Sequence, residues 1–319
     1  MENLIFSLNA TLPIFTLMVL GYLFRKIGLI DEKASTWMNK FVFNAALPVL
    51  VFKDLADQNF AETWNGKFVL FCFAVTSISI AVIALLSKWI VKDRAKRGEF
   101  IQSSYRSSAA LLGIAFIHNI YGDSASGMGP LMILGSVPLY NVFAVIVLML
   151  TAENDKSGQD IGKRLQSTVR GILTNPIILG IAVGMLWSVL GIPQPKIFRT
   201  IVSDIAALAT PLGLMSMGAA FDFRKALNEL KPALIASFIK LFVLAAIFLP
   251  LAVMSGFAGE QIVAILVMLG SATTVSCYIM AKSMGHEGTL SSSVIMLTTF
   301  GCSFSLTFWL YILRTLQVI

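Results

Sequence analysis

Arg106 and Lys240 each lie several residues inside a long apolar run of this 319-residue chain. A charge there is costly, so it marks a substrate path, an ion path or a buried partnership. The guanidinium of Arg106 can hold a carboxylate through two parallel hydrogen bonds. The competing account is a long side chain that snorkels to the nearer interface. Lys240 sits about 14 Å into its run at 1.5 Å per residue, too deep to snorkel easily. It can bind an anion or change protonation during a cycle; pairing with backbone carbonyls is the alternative. Asp204 is shallower, either a coupling group alongside Lys240 or a partner for Arg199. Asn44 and Asn141 are amides at depth and need partners, from a substrate oxygen or from another helix. The chemistry these types support is the holding of a small anion.

Other chemistries lack their residues. Cys72, Cys277 and Cys302 lie inside apolar runs with no CxxC pair, and the chain has two His. That supports no disulfide framework, no metal site and no haem, and they read as small apolar packing residues. No nucleophile–base pair is evident for catalysis, so the chain reads as a non-enzyme without a cofactor. The net charge of +7 does not imply nucleic acid, because Lys and Arg alternate with apolar blocks instead of forming one patch.

The elements that position these residues must live in a bilayer. Charged residues make up 13% of the chain and hydrophobic ones 57%, against about 25% charged for a soluble domain. Ten candidate spans of roughly bilayer length run over 4–24, 36–53, 66–91, 100–121, 127–152, 171–191, 198–220, 231–254, 259–284 and 289–315. Glu2 before the first run, Arg25 and Lys26 after it, and no small-residue cleavage site argue against a signal peptide. With the N-terminus outside, the connections hold sixteen Lys and Arg on the inside and five on the outside. The positive-inside rule therefore puts both termini outside.

The halves align without gaps at an offset of 163 residues. Pro13 pairs with Pro176, Gly21 with Gly184, Gly28 with Gly191, Pro48 with Pro211, Ser108–Ala109 with Ser271–Ala272, and Gly122 with Gly285. Gly and Pro set backbone geometry, so the match is one of shape. Five spans per half make the second half enter the membrane inverted, as in many secondary transporters, whose substrates bind where corresponding helices are broken. Spans four and nine are the candidates, weakened by Ser107, Ser108 and Gly113 in one and by Ser271, Thr273, Thr274 and Ser276 in the other. Broken ends present free N–H groups and a positive dipole end to an anion. The alternative is that these small residues only allow close helix packing.

These motifs carry a family resemblance across essentially the whole length. Asn44-Ala-Ala-Leu47-Pro48, Tyr105-Arg106-Ser107-Ser108 with Gly113, Pro138-Leu139-Tyr140-Asn141, and Ser271-Ala272 through Ala281-Lys282 resemble, in order, motifs of the auxin efflux carrier family. Its bacterial malate or malonate permeases are the nearer likeness, and the plant auxin exporters the more distant. Two positions depart: Ser108 stands for the family's Asn, and Ala115 and Ala272 stand for the Pro at the helix crossing. The acidic–lysine pair that supports proton coupling in plant members has no clear counterpart.

The resemblance implies an all-α protein of two inverted five-helix repeats, residues 1–153 and 170–319, joined by a cytoplasmic connection over 154–169. Spans one, two, six and seven would form a scaffold, a surface for homodimerisation, and spans three to five and eight to ten a transport domain that moves past it. A small organic anion would bind at the crossing through Asn44, Leu47, Pro48, Arg106, Ser108, Gly113, Asn141, Pro211, Ser271, Thr273, Thr274 and Ser276. The short connection favours a bacterial cytoplasmic membrane over the long-looped plant exporters. A sodium-coupled symporter of similar architecture is the nearest rival, and a membrane enzyme or sensor the rival from another class.

Overall fold

A computed structural model describes residue 13 and residues 16–56, 65–109, 114–121, 128–152, 170 and 174–319. All regular structure among them is helical. In order, the helices are α1 (16–26), α2 (Glu32–Phe41), α3 (Leu47–Ala56), α4 (Gly66–Ile90), α5 (Arg94–Tyr105), α6 (Ile114–Tyr121), α7 (Met128–Thr151) and α8 (Pro176–Val189). There follow α9 (Lys196–Ala207), α10 (Ala209–Ala219), α11 (Phe223–Asn228), α12 (Leu230–Phe238), α13 (Leu244–Met254), α14 (Glu260–Gly270), α15 (Ser276–Ser283) and α16 (Thr289–Thr315).

Five stretches are long and apolar enough to cross a bilayer: Gly66–Ile90, Met128–Thr151, Lys196–Ala219, Leu230–Met254 and Thr289–Thr315. The shorter ones, of 24 residues, reach about 36 Å at 1.5 Å per residue, against a hydrocarbon core of about 30 Å. They coincide with the third, fifth, seventh, eighth and tenth expected spans. The first expected span lies mostly outside the described residues. The second becomes α2 and α3, the sixth becomes α8, and the fourth and ninth are interrupted. Leu70, Trp89, Phe300 and Tyr311 are exposed on the long helices, a surface suited to lipid and not to water.

The interruptions have local causes. Pro48 lacks the N–H that would bond the Asn44 carbonyl, and the turn before it widens into a π-helix over Val42–Ala46. Pro211 does the same to Ala207, where Leu208 separates α9 from α10. The α5 helix stops at Arg106, whose backbone is extended (φ −71°, ψ 136°). The α14 helix stops at Ser271, also extended (φ −79°, ψ 167°). Their freed backbone groups find partners in each other's segments and on α16, as polar backbone at membrane depth must. Ser108 N–H donates to Ala272 O at 2.9 Å, Thr273 hydroxyl to Ser103 O at 2.8 Å, and Thr298 hydroxyl accepts from Thr273 N–H at 3.0 Å.

One close helix packing contact recurs with the halves exchanged. Gly21 lies directly against the backbone of Met215, and a Cβ on Gly184 would sit 2.9 Å from the Phe52 carbonyl oxygen. Gly184 follows Gly21, and Met215 follows Phe52, by the same 163 residues. In the same register, Gly28 (φ +80°) and Gly191 (φ +60°) both adopt the left-handed conformation just beyond a helix end. The α3 helix packs on α8 and α9, and α10 packs on α2. The α4, α5 and α7 helices pack together, and α16 packs on both α12 and α14.

Candidate functional site

Two cavities adjoin the interrupted helices. The larger, about 990 Å³, lies among α1, α2, α10 and α15, and its charged lining is Arg25, Lys40, Arg224 and Lys282 against Glu32 and Asp222. Four cations against two anions make it an attractive vestibule for anions. The smaller, about 230 Å³, lies between α3, the two interruptions, Tyr140 and Asn141 of α7, and the first turn of α10. At about 30 Å³ per water it holds roughly seven waters, or a carboxylate of a few carbons with some water.

Arg106 is the central cation of the smaller cavity. It is 2% exposed, and its hydrogen-bond partners among the described residues are all neutral. One terminal nitrogen donates to Asn141 Oδ1 at 2.8 Å. The other reaches Gln102 Oε1 at 3.3 Å and Met280 Sδ at 2.8 Å. The buried Nε–H has no hydrogen-bond partner. An unmade bond of this kind costs about 1–3 kcal/mol, more for a charged group.

The amides that hold the guanidinium are themselves oriented. Asn141 Nδ2 donates to Val137 O at 3.0 Å, leaving its oxygen for Arg106. Gln102 Nε2 donates to Cys277 O at 2.9 Å, leaving its own oxygen likewise. Ser107 hydroxyl bonds Met268 O and lies 3.2 Å from the Tyr140 hydroxyl. Across the cavity, Thr274 and Ser276 hydroxyls are 2.9 Å apart at the start of α15. The positive end of that short helix dipole thus meets the same cavity. Arg106 and Lys53 against Asp54, several hydroxyls and a helix N-terminus give the pocket a net positive lining suited to a carboxylate.

The expected site residues separate into groups. Leu47, Arg106, Ser108, Asn141, Thr273, Thr274 and Ser276 line the smaller cavity together. Asn44 lines the vestibule instead, its amide donating to Lys40 O at 2.8 Å. Pro48 and Pro211 line neither cavity; they shape the helices that do. Ser271 is fully buried with its hydroxyl unbonded. Gly113 lies outside the described residues. Asp204 is exposed on α9 and lines neither cavity. Lys240 is fully buried, its ammonium on the carbonyls of Met268 and Leu269, which is the backbone pairing weighed for it. Gln102, four residues before Arg106 and so on the same helix face, was not singled out. Nor was the hydroxyl of Tyr140, although that residue sits in a quoted motif.

Lipid-compatible helices, interrupted in the interior around a buried cationic cavity, define a multi-pass membrane protein built to admit a polar solute. The chain belongs to the membrane transport protein family, whose family model matches residues 6–310, and this is the family its motifs resemble. It is 26% identical over 319 residues to a Rhizobium meliloti (strain 1021) protein named "Putative malonate transporter", covering 95% of each chain. It is 20% identical over 308 residues to an "Uncharacterized transporter" of Methanothermobacter thermautotrophicus (strain Delta H), covering 96% of this chain and 98% of that one.

Proposed function

We propose that this protein is a secondary carrier of a small organic anion, a short dicarboxylate of the malonate or malate class, working by alternating access. The observation that carries the reading is Arg106: a buried guanidinium with neutral partners and one unmade hydrogen bond, on the wall of a cavity of a few-carbon acid's size. Binding a carboxylate supplies the missing countercharge, which is how a cation so placed becomes favourable. The malonate name of the Rhizobium relative points to the same chemical class.

The architecture we infer is two inverted five-helix repeats that cross at the interruptions after Tyr105 and Gly270. The exchanged contacts of Gly21 and Gly184 and the backbone bond from Ser108 to Ala272 support it. The scaffold comprises α1–α3 and α8–α10, and it is also the face we assign to homodimerisation. The moving domain comprises α4–α7 and α12–α16, and the substrate cavity lies between the two. Charge bias places Arg25, Lys40, Arg224 and Lys282 on the cytoplasmic side of a cell membrane, so the vestibule opens inward, while the smaller cavity reaches Lys53 and Asp54 toward the other end of α3. The test is counterflow of labelled malonate and malate in liposomes holding the purified protein. Saturable exchange is expected; no exchange of either acid by folded protein refutes the dicarboxylate assignment.

A further inference from the structure

We propose that Lys240 is a resident cation, occupying the place where a sodium-coupled carrier would hold its ion, so that this carrier works without sodium. The last carbonyls of any helix lack intrahelical partners and carry the negative end of its dipole. In carriers with interrupted helices, such carbonyls at mid-membrane coordinate the coupling cation. In this chain three of the last four carbonyls of α14 are already engaged. Val267 O accepts from Ser271 N–H at 3.2 Å. Met268 O accepts from the Tyr140 hydroxyl at 3.2 Å, from the Lys240 ammonium at 3.4 Å, and from Ser107. Leu269 O accepts from Lys240 as well.

The position of Lys240 suits this role. It is fully buried and rides on the π-turn Ile239–Val243 that joins α12 to α13. A π-turn inside a helix is uncommon and often marks a functional position. An ammonium has donors only, and its two bonds go to bare carbonyls with no carboxylate among them. Sodium and similar hard ions want several oxygen ligands, commonly including a carboxylate. The described residues of the two interruptions, 106–108 and 271–274, contain no Asp or Glu. The positive charge at the end of α14 is therefore covalently supplied. Arg106, facing the cavity, is left free to take the anion.

The inference rests on the carrier reading only for transport, so it is tested by stability as well. Wild type, Lys240→Met and Lys240→Arg are melted in sodium chloride and in choline chloride of equal ionic strength, and assayed for counterflow in both. Wild type and Lys240→Arg are expected to melt and exchange alike in the two salts. Lys240→Met is expected to melt lower and exchange about tenfold more slowly in choline, the scale of one lost charge-assisted hydrogen bond. Sodium or methylammonium should restore part of both losses, which a merely structural residue would not show. Sodium stabilisation or stimulation of wild type overturns the proposal, as does a Lys240→Met protein indifferent to every cation. If Lys240→Met does not fold, a sodium response in Lys240→Arg or wild type overturns it, and its absence in both, with Lys240→Arg active, upholds it. If no acid exchanges at all, the carrier reading fails while the melting comparison still decides the cation.

Discussion

Replacing Arg106 by Gln separates a binding role from a structural one, because the two roles predict opposite signs for stability. Without substrate the guanidinium is a buried charge held by Asn141, Gln102 and Met280, with Nε–H unpaired. Gln keeps a donor for Asn141 and removes the charge. Neutralising an uncompensated buried charge is commonly neutral to stabilising, by up to a few kcal/mol. The melting temperature of the empty protein is therefore expected to hold or rise. Substrate binding moves the other way. Two charge-assisted hydrogen bonds to a carboxylate are each worth about 1.5–3 kcal/mol. After carboxylate desolvation is deducted, a net loss of about 3 kcal/mol, or more than a hundredfold in affinity, is expected. The assays are malonate counterflow and substrate-free thermal melting on the same preparations. A melting temperature that drops by several degrees along with exchange would show that Arg106 holds the interruption together. Exchange within about threefold of wild type would remove it from the site.

Asn141→Ala should slow exchange by about tenfold, since it removes the 2.8 Å bond that orients the guanidinium; Asn44→Ala, in the vestibule, should change it less than about threefold, and flux at saturating malonate with its half-saturation value tells the two apart. Gly21→Val and Gly184→Val should each cost about 1–3 kcal/mol by overpacking, because each sets a side chain against the facing helix backbone; the yield of monodisperse protein in detergent and its melting point report this. Glu229→Gln removes the carboxylate that bonds Lys96 and holds its ammonium above the ordinary lysine value of 10.5. A raised folded-state pKa adds stability below the unfolded value that disappears as pH climbs through the folded one. The variant should thus melt slightly lower at neutral pH, by about 1 kcal/mol or less, with the difference shrinking in high salt and vanishing in strongly alkaline buffer.

What the sequence made legible is what backbone sterics impose. Pro48 and Pro211 mark distorted helices because a missing N–H acts wherever it falls, and the helices deform on the N-terminal side of both. The Gly21 and Gly184 pair was readable for the same reason: only a glycine lets the facing helix come so close. Arg106 was readable because a charge in an apolar run is conspicuous, and Gln102 would have followed from one turn of helical spacing. Asn44 shows the limit. In sequence it and Asn141 are equivalent amides at depth, but Asn44 sits inside the π-turn Val42–Ala46, where the helical phase no longer follows 3.6 residues per turn. A facing worked out from regular spacing is lost there, and the amide ends up in the vestibule. Which carbonyls hold Lys240 was invisible for another reason: backbone carbonyls carry no residue type, so pairing with them could be weighed but no motif can locate it.

The two deep cations divide the work. Each stands near the end of an interrupted helix, Arg106 as the cap of α5 and Lys240 against the last carbonyls of α14. A guanidinium satisfied by neutral amides retains a positive field that an arriving carboxylate can use, whereas an ammonium seated on carbonyls spends most of its field on the helix dipole. The charge that matters to the solute is therefore Arg106, and Lys240 secures the frame around it. If both acted on the substrate, substituting either would weaken malonate binding by a similar factor. On the division argued from these contacts, Arg106→Gln raises the half-saturation concentration steeply, while Lys240→Arg leaves it near the wild-type value. A steep rise in Lys240→Arg would put both cations in the substrate site and undo the division.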